Sequence, residues 1–101
     1  QDICIGINDG KNIYGNTKIV NHMISIFNKY GFKNVTVDKP FAAKNENCVS
    51  TYIAKNCKIP AFQIEINLKY RSSKYKEYSY YGNLIKAMQE IIDLMSIDIL
   101  K

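Results

Sequence analysis

Apolar positions recur along this chain with two periods. Residues 3–7, inside the run DICIGIND, form a short apolar stretch that ends in the polar turn Asn8-Asp9-Gly10, and they read as a strand. A loop over 11–16 comes next, broken by Gly15 and Asn16. Val20, Met23, Ile24, Phe27 and Tyr30 then recur at helical spacing. They predict a helix over 17–30, capped by Asn16 and stopped at Gly31. Residues 34–37 read as a second strand, 38–47 as a long loop around Pro40, and 48–55 as a short helix. Pro60 opens a third strand, and a tyrosine-rich loop over 70–79 leads to a last helix over 80–96. The core stripe of that helix is Leu84, Ile85, Met88, Ile91, Ile92 and Met95. The order β-α-β-α-β-α predicts an α/β fold, a mainly parallel sheet flanked by helices.

The third strand, FQIEINLK over 62–69, alternates. Side chains of a strand point to opposite faces in turn, so Phe62, Ile64, Ile66 and Leu68 share one face and Gln63, Glu65, Asn67 and Lys69 the other. Glu65 is then a carboxylate in the middle of a polar row, which is either a solvated surface or the floor of a site. Ligands of parallel α/β folds sit beyond the carboxyl ends of the strands. The polar loops 8–16, 38–47 and 68–79 are expected to gather there.

At 101 residues, 47% hydrophobic and 23% charged, the chain has the composition of one small globular domain. No apolar run approaches the roughly 20 residues that span a bilayer. The start at Gln1 rather than Met suggests a processed product or a piece of a longer polypeptide. A net charge of +5 points weakly to an anionic partner. The lysines are scattered, however, and the densest stretch, 69–76, holds only Lys69, Arg71, Lys74 and Lys76, with Tyr70 and Tyr75 among them. Nucleic-acid binding, which needs cations gathered on one face, ranks last. Cys4, Cys48 and Cys57 have no metal-finger or CxxC spacing and read as reduced, structural thiols of a cytoplasmic protein.

Two segments carry a resemblance. Asp38-Lys39-Pro40-Phe41-Ala42-Ala43 is followed about twenty residues later by Ile59-Pro60-Ala61-Phe62-Gln63-Ile64-Glu65-Ile66-Asn67. Together they resemble the N-formylglutamate amidohydrolase family, with its N-x-P-[FY]-x-G-G segment, short helix and strand [AV]-x-Q-[IL]-E-[IL]-N. The resemblance covers roughly residues 3–71 and corresponds to the C-terminal half of a family member. It implies a place within a three-layer phosphorylase/hydrolase-like sandwich and metal-dependent cleavage of an N-acylated amino acid. By that analogy Glu65 is the general base that activates water and later protonates the leaving nitrogen. Gln63 and Asn67 would position substrate or orient the carboxylate, and Arg71 would capture a substrate carboxylate with Lys69 as its rival.

The chain departs from the family pattern at two points. Ala42 and Ala43 replace the family's paired glycines. A catalytic zinc ion takes about three His, Asp or Glu ligands, whereas this chain has a single histidine, His22, placed beside the apolar stripe of a helix. The zinc ligands are therefore expected on an N-terminal portion outside this sequence. This chain alone should hold no zinc, be inactive, and associate with that portion or with itself. The competing expectation is a non-catalytic α/β module that binds a small anionic ligand or a protein partner, with Glu65 an ordinary surface residue.

Overall fold

The computed structural model describes residues 2–45 and 47–95. The apolar run near the N-terminus forms β1 (Ile3–Gly6), buried along its whole length. A strand covered on both faces needs no polar alternation, which is why ICIG shows none. Parallel to β1 lies β2 (Val35–Val37), with Ile3 opposite Val35. On its other edge lies β3 (Gln63–Ile66), with Ile3 opposite Ile66 and Gly6 opposite Gln63. The sheet order is β2-β1-β3.

Between β1 and β2 runs α1 (Thr17–Lys29), where the Asn16 side chain accepts from the Lys18 N–H at 3.2 Å as a cap. The chain reverses at Gly31, whose φ of 99° lies in the left-handed region open to glycine. Val20, Met23 and Phe27 of the expected stripe are buried, joined by Ile19 and Ile26. A short turn of 3-10 helix at Lys11–Ile13 precedes α1. The helix α2 (Val49–Cys57) precedes β3. Two further 3-10 turns, Leu68–Tyr70 and Lys76–Tyr80, lead into α3 (Tyr81–Met95). The expected last residue of that helix, Ser96, lies outside the described residues.

One apolar cluster joins Ile3 and Ile5 of β1 to α1 and α3, with Ile64, Ile66, Val35 and Val37 packed against it. Phe32 closes it, edge-on to Tyr70 at 5.1 Å and to Phe27 at 6.3 Å. Such aromatic pairs add about 0.5–1.5 kcal/mol each to the burial of their area.

The α/β class holds, but the sheet is mixed rather than mainly parallel, because β3 runs antiparallel to β1. The reason lies in α2. Its nine residues span about 13.5 Å, and the side chains it buries are Ser50, Thr51 and Ala54. That surface is too small and polar to cover an apolar sheet face as a crossover helix must. It packs instead beside the Lys11–Ile13 turn. The chain therefore enters β3 from the end at which it left β2. Loops 8–16 and 38–47 do gather at that end, while loop 68–79 follows the opposite end of the sheet. The stripe of α3 is also corrected: Leu84, Ala87 and Ile91 face the core, whereas Ile85 and Ile92 are 51% and 57% exposed. At 100° per residue, they stand a quarter turn around the helix from the buried row.

Candidate functional site

Asp38 joins the ends of the two parallel strands. Its Oδ1 accepts from the Ile7 N–H and its Oδ2 from the Asp9 N–H, each at 2.7 Å. The segment after it then lies over the face of β1 turned away from the helices. The buried Cys4 thiol reaches the carbonyls of Lys39 and Phe41 at 3.5 and 3.4 Å. At Gly6 an added Cβ would stand 3.1 Å from both Phe41 O and Ala43 Cβ, so the close approach depends on glycine there. Asn8 donates its N–H to Ala42 O at 2.7 Å.

Partner residues in a ladder share a face. Gln63 stands opposite Gly6 and Glu65 opposite Cys4, so both belong to the face covered by Pro40-Phe41-Ala42-Ala43. The two resembling segments, some twenty residues apart in sequence, meet at this point. Between them is an open depression of about 460 Å³, bordered by Pro40, Phe41, Lys44, Cys48 and Gln63.

Gln63 organises one side of the depression. Its Nε2 donates to Glu65 Oε1 at 2.8 Å, and its Oε1 accepts from the Cys48 thiol at 2.7 Å. The chain of donation runs from Cys48 through Gln63 to an exposed Glu65. Cys48 is the residue that precedes α2, and its sulfur also lies 3.3 Å from Ser50 Oγ. The Ser50 hydroxyl chiefly, then the backbone N–H groups of Ser50 and Thr51, hold the thiol below its ordinary range, against burial, which raises it. On the opposite rim Lys44 Nζ pairs with Asp9 Oδ2 at 2.9 Å. The hydrogen bond and charge of each shift the other, Asp9 downward and Lys44 upward.

The remaining residues of the polar row leave it, because β3 ends at Ile66 and the chain turns. The Asn67 side chain accepts from the Lys69 N–H at 3.0 Å and caps the Leu68–Tyr70 turn. Leu68, expected on the apolar face, is exposed for the same reason. Lys69 Nζ pairs with Asp2 Oδ1 at 3.3 Å and lies over the Tyr70 ring. Arg71 donates from Nε to Ile66 O at 2.9 Å. Thus Gln63 and Glu65 share the depression's side of the sheet, while Asn67, Lys69 and Arg71 cluster just past the other end of β3.

Among the described residues, no three His, Cys, Asp or Glu side chains stand close enough to hold a metal ion. His22 is exposed on α1, in a groove shared with Ser25, Glu90 and Asp93 of the helical layer. The donors present therefore do not fit a zinc site. No helix among the described residues is long and apolar enough to cross a membrane. The residue that the sequence pattern undervalued is Cys48. Read as the first residue of a helix, it is instead the cap position, and its thiol reaches Gln63 of β3.

No protein-family model, curated protein or solved structure matches the chain.

Proposed function

We propose that Glu65 is the proton-transfer carboxylate of an amide hydrolase of the N-formylglutamate amidohydrolase type, acting on an N-acylated amino acid. One observation carries this reading. The Pro40–Ala43 segment crosses Gly6, and Gly6 pairs with Gln63, whose amide orients Glu65. Residues that make a family pattern in sequence thereby make one wall in space.

In this reading Glu65 takes a proton from the attacking water and returns it to the leaving nitrogen. Its exposure leaves it open to substrate, and Gln63 fixes the direction of one oxygen. Arg71, the chain's single guanidinium, is the group suited to a substrate carboxylate, with Lys69 as its rival and Asn67 holding the turn that carries both. The family's zinc chemistry would need ligands that the present residues do not supply, so they are assigned to residues outside this sequence. The larger three-layer sandwich belongs to the same proposal, as does a cytoplasmic setting, in which the three free thiols stay reduced. So does a covering partner, the remaining portion of the enzyme or a second copy, for the exposed apolar stripe of Tyr81, Ile85 and Ile92.

The exposure of Glu65 on an edge strand favours the competing reading of a non-catalytic binding module, since a solvated strand presents the same face. Substitution decides between them. The polypeptide carrying this sequence, purified from its source with zinc present, should hydrolyse N-formylglutamate. Glu65→Gln should cost about 10²–10⁴-fold in kcat with the fold intact. Undiminished hydrolysis in that variant, or no hydrolysis by the unaltered protein, refutes the enzyme reading.

A further inference from the structure

A second cavity lies on the outer side of the loop cluster, between the Lys11–Ile13 turn and α2. Its volume is about 310 Å³, and its border includes Lys11, Lys55, Lys58, Asn8, Asn12 and Tyr14, with no carboxylate. We infer that this cleft binds a small phosphate-bearing anion, an activity independent of Glu65.

The charge pattern is the first support. Lys29, Lys44 and Lys69 each have a carboxylate partner. Lys11, Lys55 and Lys58 have no ion pair among the described residues, yet two separate elements, the Lys11–Ile13 turn and the end of α2, bring them to one cavity. Asp9, whose carboxylate feels Lys11, is already engaged by Lys44. Like charges brought to one cleft repel, weakly where they are exposed as these are, and a multivalent anion relieves the repulsion. Lysines near the end of a helix also favour its dipole. That accounts for Lys55 and Lys58 at the end of α2 but not for Lys11, which belongs to another element.

The second support is that the walls are already tied together. Asn12 is buried; its Nδ2 donates to Thr51 Oγ1 at 2.9 Å and its Oδ1 accepts from Asn8 Nδ2 at 3.3 Å. Asn12 O accepts from the Ala61 N–H at 2.9 Å, and the Tyr14 hydroxyl donates to Ala54 O. These bonds hold the turn against α2 before any ligand arrives, so little ordering remains to be done on binding. The cations set the ligand class. Three lysine ammonium groups act as point charges, and a phosphate offers them more oxygens and more negative charge than a single carboxylate does. The volume lies at the small end of the range for small-molecule sites.

Titration of inorganic pyrophosphate into the isotope-labelled protein at low ionic strength, followed by amide NMR, tests this. Saturable shifts confined to Asn8–Tyr14 and to the second half of α2 are expected. The Lys11→Ala/Lys55→Ala/Lys58→Ala variant should bind at least about tenfold more weakly with unchanged helical circular dichroism. Parallel titrations with glutamate and with a short single-stranded oligonucleotide distinguish the sources of negative charge. Absence of saturation, equal affinity in the triple variant, or tighter binding of either alternative anion overturns the inference.

Discussion

Gln63 Nε2 holds Glu65 Oε1 at 2.8 Å along the same face of β3, two residues apart. One carboxylate oxygen of this exposed residue is thereby held, and in the proposed hydrolase that amide would orient the proton-transfer group. Gln63→Leu keeps the strand and removes the orienting amide. Groups that orient a catalytic residue typically contribute about 10–100-fold. A loss of that size in kcat with KM little changed is expected, measured by steady-state hydrolysis of N-formylglutamate.

Cys48 is placed to donate to Gln63, not to attack a substrate. Cys48→Ser keeps a donor at the same cap position and should leave hydrolysis nearly intact. Alkylation of the same thiol puts a bulky group into the depression and should abolish it. The alkylation rate should rise at lower pH than for an ordinary thiol, because Ser50 lowers the Cys48 pKa. Mass spectrometry of the modified site beside residual activity gives both readings.

Ala43 sits at φ 58°, in the left-handed region where a Cβ costs about 1–2 kcal/mol. Glycine carries no such cost, so Ala43→Gly should raise stability, offset in part by the greater freedom of glycine in the unfolded chain. Gly6→Ala should act in the opposite sense by about 1–3 kcal/mol, since its Cβ would meet backbone at 3.1 Å. Urea midpoints of the two variants check the pair of signs.

Burial, chiefly, with the Asp2 carboxylate assisting, pushes the Tyr70 hydroxyl up to about 12 from an ordinary 10. A raised folded pKa means the folded state keeps its proton after the unfolded chain has lost it. Stability from this residue is therefore complete below pH 10 and falls as pH rises toward 12. Tyr70→Phe should flatten that decline, followed by urea denaturation between those pH values. Ultraviolet titration of tyrosinate should show one late phase missing in the variant.

Local patterns identified each strand and each long helix to within a few residues, because burial of Phe27 or Ile91 leaves its mark at spacings near four and the buried β1 shows as an unbroken apolar run. The direction of β3 was not legible, since it depends on what α2 can cover, and Ser50, Thr51 and Ala54 carry no apolar signal strong enough to decide it. Ile85 and Ile92 misled for the opposite reason. They repeat at helical spacing but belong to a second row that this chain leaves uncovered. At the site, alternation placed Gln63 and Glu65 together correctly, while Asn67 fell away because its amide caps the next turn. The bond from Cys48 to Gln63 spans fifteen residues and leaves no local trace.

The antiparallel course of β3 has an evolutionary consequence. The excursion from Lys44 to Phe62 departs from one end of the sheet and returns to that same end, so it has only to cross the end of β1, about 10 Å at the usual strand spacing. Among the described residues its ties include Lys44 to Asp9, Thr51 to Ala43, Asn12 to Thr51 and Ala61, Tyr14 to Ala54 and Cys48 to Gln63, all polar. Relatives can lengthen, shorten or replace this appendix without shifting Glu65 in its ladder. The loop excursion and the ladder that holds Glu65 can then vary separately within one short polypeptide.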